Sequence, residues 1–192
     1  MASTHRRPRN AAATRDAILE SAIHNFARAG YDGVGVREIA NDAGVTAMMV
    51  NRYFGSKEQL FAEAVETSFA IPAVIAPDAD DLPHGAAVAL VARTDPDADP
   101  LEPFLIMLRS VSNPRAVEIV RAGIERHVGT RLARQLPEPG RPIRTEVMLS
   151  VIAGVLLMRR AIGTRALNQA HPDQLVDVLD AVFTAIVDAP LA

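Results

Sequence analysis

The feature that most constrains the fold is a segment of 22 residues, 37–58, in which two short amphipathic stretches flank a glycine. Gly44 can adopt the left-handed backbone conformation that ends a helix abruptly. Thr46 then offers a hydroxyl oxygen that can cap a second helix. Apolar residues follow a helical spacing on both sides of the turn: Ile39, Ala40 and Ala43 before it, and Val45, Val50 and Phe54 after it. The segment therefore predicts a helix-turn-helix, the motif that inserts a helix into the major groove of double-stranded DNA.

The composition of the chain is that of an ordinary folded protein. It has 192 residues, of which 49% are hydrophobic and 22% charged. The absence of cysteine excludes disulfides, thiolate metal sites and cysteine nucleophiles. The longest charge-free apolar run, 147–158, has 12 residues and is too short to span a bilayer. The N-terminus is arginine-rich but has no apolar segment, so no secretory signal is predicted and a cytoplasmic protein is expected.

The formal net charge of −3 is unusual for a protein that binds DNA, but the charges are unevenly divided. Residues 1–60 hold 8 Lys and Arg against 6 Asp and Glu, whereas residues 61–192 hold 12 against 17. This asymmetry fits a small DNA-binding head on an acidic body. The head is only mildly basic, so the charge distribution supports the prediction of DNA binding without carrying it.

The pattern of apolar residues predicts an all-α chain, because no alternation typical of β-strands persists. Residues 1–13, with Arg6, Arg7 and Arg9, are predicted to form a flexible basic arm that either contacts DNA or only aids solubility. A DNA-binding domain is predicted over 14–55 and a helical body over 56–192, which begins with a linking helix at 56–69. The predicted helices span about 14–29, 36–54 (the helix-turn-helix), 56–69, 84–93, 101–110, 113–135, 143–167 and 172–188.

The last two predicted helices carry more apolar surface than a single face can bury. The segment 148–158 is apolar nearly all round, and the final helix has two apolar stripes. A helix with two apolar faces must be covered on both sides. We therefore predict a homodimer formed through these two helices; burial of both faces in a monomeric core is the alternative.

Four closely spaced motifs lie between Thr14 and Ala64. They are 26–31 (FARAGY), 36–40 (VREIA), 43–46 (AGVT) and 53–61 (YFGSKEQLF). In these motifs and their spacing the segment resembles the DNA-binding domain of the TetR family of transcriptional regulators. The remaining two-thirds of the chain carries no motif of this kind, although its all-α plan resembles the ligand-binding and dimerisation body of that family.

Three features depart from the family pattern. Val34 and Gly35 stand where members often carry two hydroxyl residues, so the second helix lacks a side-chain cap. Asn51 stands where members often have a tyrosine that contacts phosphate. The positions before it, 47–49, hold Ala, Met and Met in place of the more usual polar or glycine residues.

The resemblance implies a set of DNA-phosphate contacts. These are Thr46, Asn51, Tyr53 and Lys57, with Arg37 as a further member. Lys57 is the only lysine of the chain, and it lies in the first turn of a helix, where backbone N–H groups favour an anion. A solvated lysine, and a Tyr53 that only packs in the core, are the alternatives.

The residues expected to face the bases are Ala47, Met48, Asn51 and Arg52. An arginine can pair with guanine and an asparagine with adenine, whereas Ala and Met suit the thymine methyl group. Arg52 could instead contact phosphate or solvent. Met48 and Met49 are adjacent and cannot both face inward, so we expect at least one of them to be exposed.

The resemblance further implies a homodimeric repressor that a small-molecule effector releases from a palindromic operator. Six residues of the body are candidates for an adaptable apolar effector pocket, with ordinary core packing as the alternative: Phe104, Met107, Leu108, Met148, Ile152 and Met158. Arg109 could orient a polar group of the ligand or form a surface salt bridge. A regulator without a ligand, or an activator with the same DNA-binding head, is the alternative function.

An enzyme is the competing class of function. The five histidines are scattered without metal-ligand spacing, and no glycine-rich phosphate loop or Ser/His/Asp arrangement is present. Asp78, Asp80 and Asp81 lack the rest of a calcium loop and are expected to form a solvated loop. The sequence therefore predicts no catalytic residue, no metal site and no cofactor.

Overall fold

All regular secondary structure in the described part of the chain is helical. The computed structural model describes residues 7–70, 81–95, 98 and 101–190, and among these no β-strand is present, which confirms the expected all-α class. The helices are α1 (Arg7–Gly33), α2 (Val36–Asp42), α3 (Ala47–Phe54), α4 (Lys57–Ala70), α5 (Leu82–Arg93), α6 (Glu102–Ser110), α7 (Pro114–Gly123), α8 (Thr130–Ala133), α9 (Arg141–Leu156), α10 (Arg165–Gln169) and α11 (Pro172–Val187). In this part of the chain no helix is long and apolar enough to cross a membrane.

The first helix begins earlier than the sequence pattern predicted. It starts at Arg7, so residues 7–13 are helical, whereas the sequence pattern predicted no helix before residue 14. Pro8 is tolerated in the first turn of a helix, and the alanines at 11–13 are the strongest helix formers, so nothing stops the helix before Thr14. Arg6 and the side chains of Arg7 and Arg9 lie outside the described residues, and their contact with DNA stays a prediction.

The chain divides into two compact units. One comprises Met1–Ser68 and Glu102–Gly123, and the other comprises Phe69–Leu101 and Ile124–Ala192. Helices α6 and α7 therefore belong with the helix-turn-helix, although they follow it by some fifty residues. The division predicted from the sequence, 14–55 and 56–192, differs from this one because it places α6 and α7 in the body.

The first unit is built around three aromatic rings. The ring of Phe61 meets the rings of Phe26 and Tyr31 edge-on, with centroids 4.9 Å apart in each pair. Edge-to-face pairs of this kind add to the stabilisation that burial of the rings provides. Ile18 and Ile39 are also fully buried. This core joins α1 to α2 and α4 and so supports the helix-turn-helix.

Helix α6 packs against the end of α1 within this unit. Gly30 leaves helical geometry with φ 74° and lies against the backbone of Arg109. The N–H of Tyr31 donates to Ser110 Oγ over 3.1 Å. The guanidinium of Arg109 donates to the carbonyl oxygens of Ala27 and Arg28. Arg109 was expected to orient a ligand or form a salt bridge; it instead satisfies carbonyl groups that the break in α1 leaves free.

The second unit packs α11 against α5 and α9. Met148, Leu179 and Phe183 are buried in it.

Two buried arginines of this unit donate hydrogen bonds to carbonyl oxygens at the C-terminal ends of helices. Arg144 donates to the carbonyl oxygens of Ile186 and Val187 at the end of α11. Cations at this end of a helix complement its dipole, so the two arginines stabilise the second unit.

The other buried arginine is Arg159, whose Nη1 donates to the carbonyl oxygen of Val91 over 3.1 Å at the end of α5. It lies in a π-helical turn, Leu157–Ile162, that follows α9; a similar turn, Ile124–Gly129, follows α7. The two long helices predicted over 113–135 and 143–167 are therefore each interrupted by a π-helical turn. Such turns insert one residue into the helical ladder, which the apolar pattern does not reveal.

Candidate nucleic-acid interface

The turn between α2 and α3 has the geometry that the sequence predicted. Gly44 has φ 68°, and its N–H donates to the carbonyl oxygen of Asn41. The hydroxyl of Thr46 accepts from the N–H of Met49 over 3.4 Å and so caps α3. Helix α2 begins after Gly35 without a side-chain cap, as expected. The helix-turn-helix and its caps are therefore confirmed.

Helix α3 buries one face and presents the other to solvent. Val50 and Phe54 are buried in the first unit. On the opposite side Met48 is 77% exposed, and Asn51 and Arg52 are also exposed. Ala47 is half-buried at the start of the helix. The expectation that one of the paired methionines is exposed is confirmed, and the predicted base-facing residues lie on an accessible surface.

The residues predicted to contact phosphate lie on α2 and α3, at the start of α3, and at the start of α4. Arg37 is exposed on α2, and Thr46 is exposed at the start of α3. Tyr53 and Lys57 are half-buried. Ser56 caps α4 by accepting from the N–H of Gln59 over 3.1 Å. The contacts of Arg37, Thr46, Tyr53 and Lys57 with DNA phosphates stay predictions.

Contacts from α1 hold α2 and α3 in place. Asn25 Nδ2 donates to a carboxylate oxygen of Asp42 over 2.7 Å, and Ser21 Oγ donates to the carbonyl oxygen of Ile39 over 2.9 Å. The guanidinium of Arg15 lies 4.8 Å from the centroid of the Phe54 ring. These contacts fix both ends of the helix-turn-helix on α1. Helix α3 is therefore held in place by contacts with α1.

Lys57 lies over an aromatic ring. Its Nζ is 4.5 Å from the centroid of the Tyr31 ring, within the range of a cation–π interaction. Partial burial lowers the pKa of Lys57 below its ordinary value, and the nearby carboxylate of Asp32 opposes that shift. The ring therefore holds the ammonium group at the first turn of α4, where the N–H groups of the helix also favour an anion.

A polar network beside Lys57 was not predicted from the sequence. We call it the α7 cluster; it consists of Asp32, Glu58, Asn113, Arg115 and Glu118. Asn113 Nδ2 donates to both carboxylate oxygens of Asp32, over 2.9 and 3.1 Å. The side-chain oxygen of Asn113 accepts from the N–H groups of Arg115 and Ala116, each over 3.0 Å, and so caps α7. One side chain thus fixes the start of α7 to the end of α1.

Arg115 links α7 to α4 within this cluster. Its Nε donates to Glu58 Oε1 over 3.0 Å, and its Nη1 donates to Glu118 Oε2 over 2.5 Å. These hydrogen bonds raise the pKa of Arg115 above its ordinary value, and the bond to Glu58 has the largest effect. Burial, followed by the charges of Glu58 and Asp32, raises the pKa of the Tyr31 hydroxyl, and Arg115 counteracts that shift. The charges of the α7 cluster therefore act on Tyr31, the residue whose ring lies under the ammonium group of Lys57.

Two family models match the chain and together cover most of its length. Residues 18–64 match the family described as bacterial regulatory proteins, tetR family. Residues 80–187 match the tetracyclin repressor-like C-terminal domain. The chain belongs to the TetR family.

Individual relatives of this TetR-family chain agree with the assignment. It is 35% identical over 75 residues to the HTH-type transcriptional repressor SCO4008 of Streptomyces coelicolor, a match that covers 38% of this chain and 39% of that protein. The match thus spans about two-fifths of the length of that curated relative. The fold of a TetR-family regulator (SCO0857) from the same species, 25% identical, covers 96% of this chain and 99% of that one with a TM-score of 0.58. The multidrug binding protein EbrR, crystallised with ethidium, is 21% identical and has a TM-score of 0.64, covering 93% of this chain and 99% of that one.

The six residues predicted for an effector pocket of this TetR-family chain fall in both units. In the first unit Phe104 is buried on α6, while Met107 and Leu108 are half-buried. In the second unit Met148 and Ile152 are buried on α9, whereas Met158 is 41% exposed. The assembly of these residues into one pocket stays a prediction. In the described part of the chain no group of three or more His, Asp or Glu side chains could hold a metal ion.

Proposed function

We propose that this TetR-family chain is a homodimeric transcriptional repressor that binds a roughly palindromic DNA operator through α3. The observation that carries the proposal is the exposed face of α3, with Met48, Asn51 and Arg52, on a helix whose other face is buried. A helix held in this way can enter the major groove. A curated relative is named a transcriptional repressor, which supports repression as the outcome.

The proposed contacts are divided between bases and phosphates. Four residues face the bases: Ala47, Met48, Asn51 and Arg52. The phosphate groups are contacted by Arg37, Thr46, Tyr53 and Lys57. Asn51 belongs to both sets. Phosphate contacts supply affinity, whereas contacts to base edges supply sequence preference. Operator DNA lies in the bacterial cytoplasm, so the proposal also places the chain there.

Footprinting on the region upstream of the chain's own gene tests this proposal. We expect protection of two half-sites whose centres lie about 34–36 Å apart, one helical turn of DNA. Arg52→Ala should relax the base preference at one position of each half-site, by about 1–3 kcal/mol. Arg121→Ala is the matched control, because Arg121 is an exposed arginine on α7 and outside the proposed interface. Unchanged affinity and sequence preference in Arg52→Ala would remove that residue from the base contacts.

Apolar side chains exposed on α9 and α11 support the dimer. Ile143 and Val147 on α9, and Val178 and Val182 on α11, are exposed in the single chain. Large apolar side chains left exposed on two helices are typical of an interface between subunits. Val178→Glu should therefore yield a monomer in sedimentation experiments and weaken operator binding. Val111→Glu is the control, since Val111 is equally exposed, at 61%, but lies in the first unit.

Control by an effector is the second part of the proposal. The support comes from the fold of EbrR, a multidrug binding protein that was crystallised with ethidium. By linkage, an effector that weakens operator binding must bind the DNA-free protein more tightly by the same factor. A thermal-shift screen without DNA, followed by operator release, measures both sides of this relation. Equal operator binding with every stabilising compound would favour the alternative, a regulator without ligand, and in vitro transcription from the operator separates a repressor from an activator.

A further inference from the structure

The first turn of α4 carries opposite charges on consecutive residues. Lys57 offers a cation to a DNA phosphate, and Glu58 adds a carboxylate directly after it. A glutamate in the first turn stabilises the helix through its dipole, but the same charge repels a phosphate group. Asp32 adds a second carboxylate, because its charge acts on Lys57. Phosphate binding at this turn therefore depends on the groups that hold or neutralise these carboxylates.

The α7 cluster supplies a partner for each of them. Asp32 accepts two hydrogen bonds from Asn113, and Glu58 accepts from Arg115, whose Nη2 also lies 2.9 Å from Glu58 Oε1. The backbone of Arg115 is held by Asn113, so the guanidinium is placed on Glu58 by the cap of α7. No other cation of the described residues is ion-paired with Glu58.

We propose that Arg115 is a positioning residue for DNA binding: it holds and neutralises Glu58, so that Lys57 can contact a phosphate. The inference rests on the proposed function, and it extends the DNA-binding machinery from the helix-turn-helix to α7. Exposed ion pairs of this kind add little to stability, because water screens them. The same pair matters more for DNA binding, because its charges change the electrostatic potential at the place where a phosphate group would lie.

The test measures binding to a fluorescent 40-base-pair duplex of mixed sequence at low salt, where phosphate contacts dominate and the operator need not be known. Arg115→Ala should weaken binding about three- to tenfold, because the dimer makes the contact twice. Glu58→Gln alone should bind as tightly as the unmodified chain or more tightly. The double variant Arg115→Ala/Glu58→Gln should regain the affinity of Glu58→Gln.

The matched control is Arg121→Ala, which removes the same charge from the exposed side of the same helix. We expect its affinity to stay within about twofold of the unmodified chain, because screening weakens distant charges. Melting temperatures of all variants should agree within about 2 °C, since the ion pair is exposed. A loss in Arg115→Ala that Glu58→Gln does not rescue, with a salt dependence shallower by about two phosphate contacts per dimer, would overturn the proposal in favour of a direct contact between Arg115 and DNA.

Two further outcomes are separable. Equal losses in Arg115→Ala and Arg121→Ala would show an effect of net charge only, and would overturn this inference while leaving the proposed function in place. Failure of the unmodified chain to bind any duplex at low salt would overturn the proposed function, and the inference with it. Rescue by Glu58→Gln, at unchanged melting temperature, is the result that supports it.

Discussion

A β-carbon added at residue 30 would lie 2.1 Å from the carbonyl oxygen of Arg109, so Gly30 lets the backbones of α1 and α6 meet directly. Gly30 also has φ 74°, a backbone conformation that residues with a side chain rarely adopt. Both requirements fall on one residue at the point where α1 breaks. The close approach of the α1 and α6 backbones therefore requires glycine at this position.

Gly30→Ala should lower the free energy of unfolding by at least about 2 kcal/mol, because backbone strain and the clash with Arg109 act together. Urea denaturation measures the change. Gly35→Ala is the control, since Gly35 has no atoms within 4 Å of an added β-carbon and an ordinary φ of −101°. Its cost should stay below about 1 kcal/mol. Equal costs for the two substitutions would contradict the close approach of α1 and α6.

Arg109→Ala should destabilise the chain by about 1–2 kcal/mol, because two carbonyl oxygens at the break of α1 lose a charged donor. The measurement is again urea denaturation, with Arg121→Ala as the control for loss of an exposed arginine. That control should change the free energy of unfolding by less than about 0.5 kcal/mol. A neutral Arg109→Ala would mean that water replaces the guanidinium at no cost.

Local features of the fold could be predicted from the sequence. Gly44 and Thr46 act on their immediate neighbours, so the turn between α2 and α3 follows from residue type alone. The periodicity of apolar residues located most helices for the same reason. Helix α1 begins earlier than the sequence predicts, because the segment 7–13 contains no helix breaker after Pro8.

Contacts between residues far apart in sequence could not be predicted. Asn113 and Asp32 are separated by 81 positions, and Arg115 and Glu58 by 57. Each of these side chains is of a polar type that is common on protein surfaces, so its type does not reveal its partner. The packing of α6 on α1 brings the two members of each pair together. An asparagine directly before a proline, as at Asn113, is typical of a helix start, and this is the signal in the sequence that marks the α7 cluster.

Thr46→Ala should lower the free energy of unfolding by about 1 kcal/mol or less, because the cap of α3 is lost and its hydrogen bond is long, at 3.4 Å. Thr46→Ser keeps a hydroxyl and is the matched control. Denaturant unfolding of the two variants measures the difference. The DNA affinity of Thr46→Ser should also exceed that of Thr46→Ala, and equal stability of the two variants would deny the cap any role.

The Tyr31 hydroxyl should titrate above its ordinary pKa of 10.0, because burial and the charges of Glu58 and Asp32 disfavour the tyrosinate. The variant Tyr53→Phe leaves Tyr31 as the only tyrosine, so tyrosinate absorbance reports its pKa alone. Arg115→Ala should raise the midpoint further, and Glu58→Gln should lower it. A midpoint at or below 10.0 would contradict the described surroundings of the ring.

This shift has a consequence for stability at high pH. A raised pKa in the folded chain means that the folded state keeps the proton more tightly than the unfolded state. The stabilisation is complete below the unfolded pKa, near 10.0, and is lost as the pH rises through the higher folded pKa. Tyr31→Phe should therefore reduce the loss of stability above about pH 10, measured by urea denaturation across that range, and an unchanged profile would exclude Tyr31 as its source.

Lys57→Gln should weaken DNA binding while leaving stability almost unchanged. Partial burial lowers the pKa of Lys57, so its charge opposes folding slightly, whereas the cation–π contact with Tyr31 favours folding. The two effects offset each other, and the free energy of unfolding should change by less than about 0.5 kcal/mol after screening by solvent. The slope of log affinity against log salt should become shallower by about 0.9 for each lost phosphate contact, or about two per dimer. Lys57→Arg keeps the charge and should retain most of the slope; an unchanged slope in Lys57→Gln would remove Lys57 from the phosphate contacts.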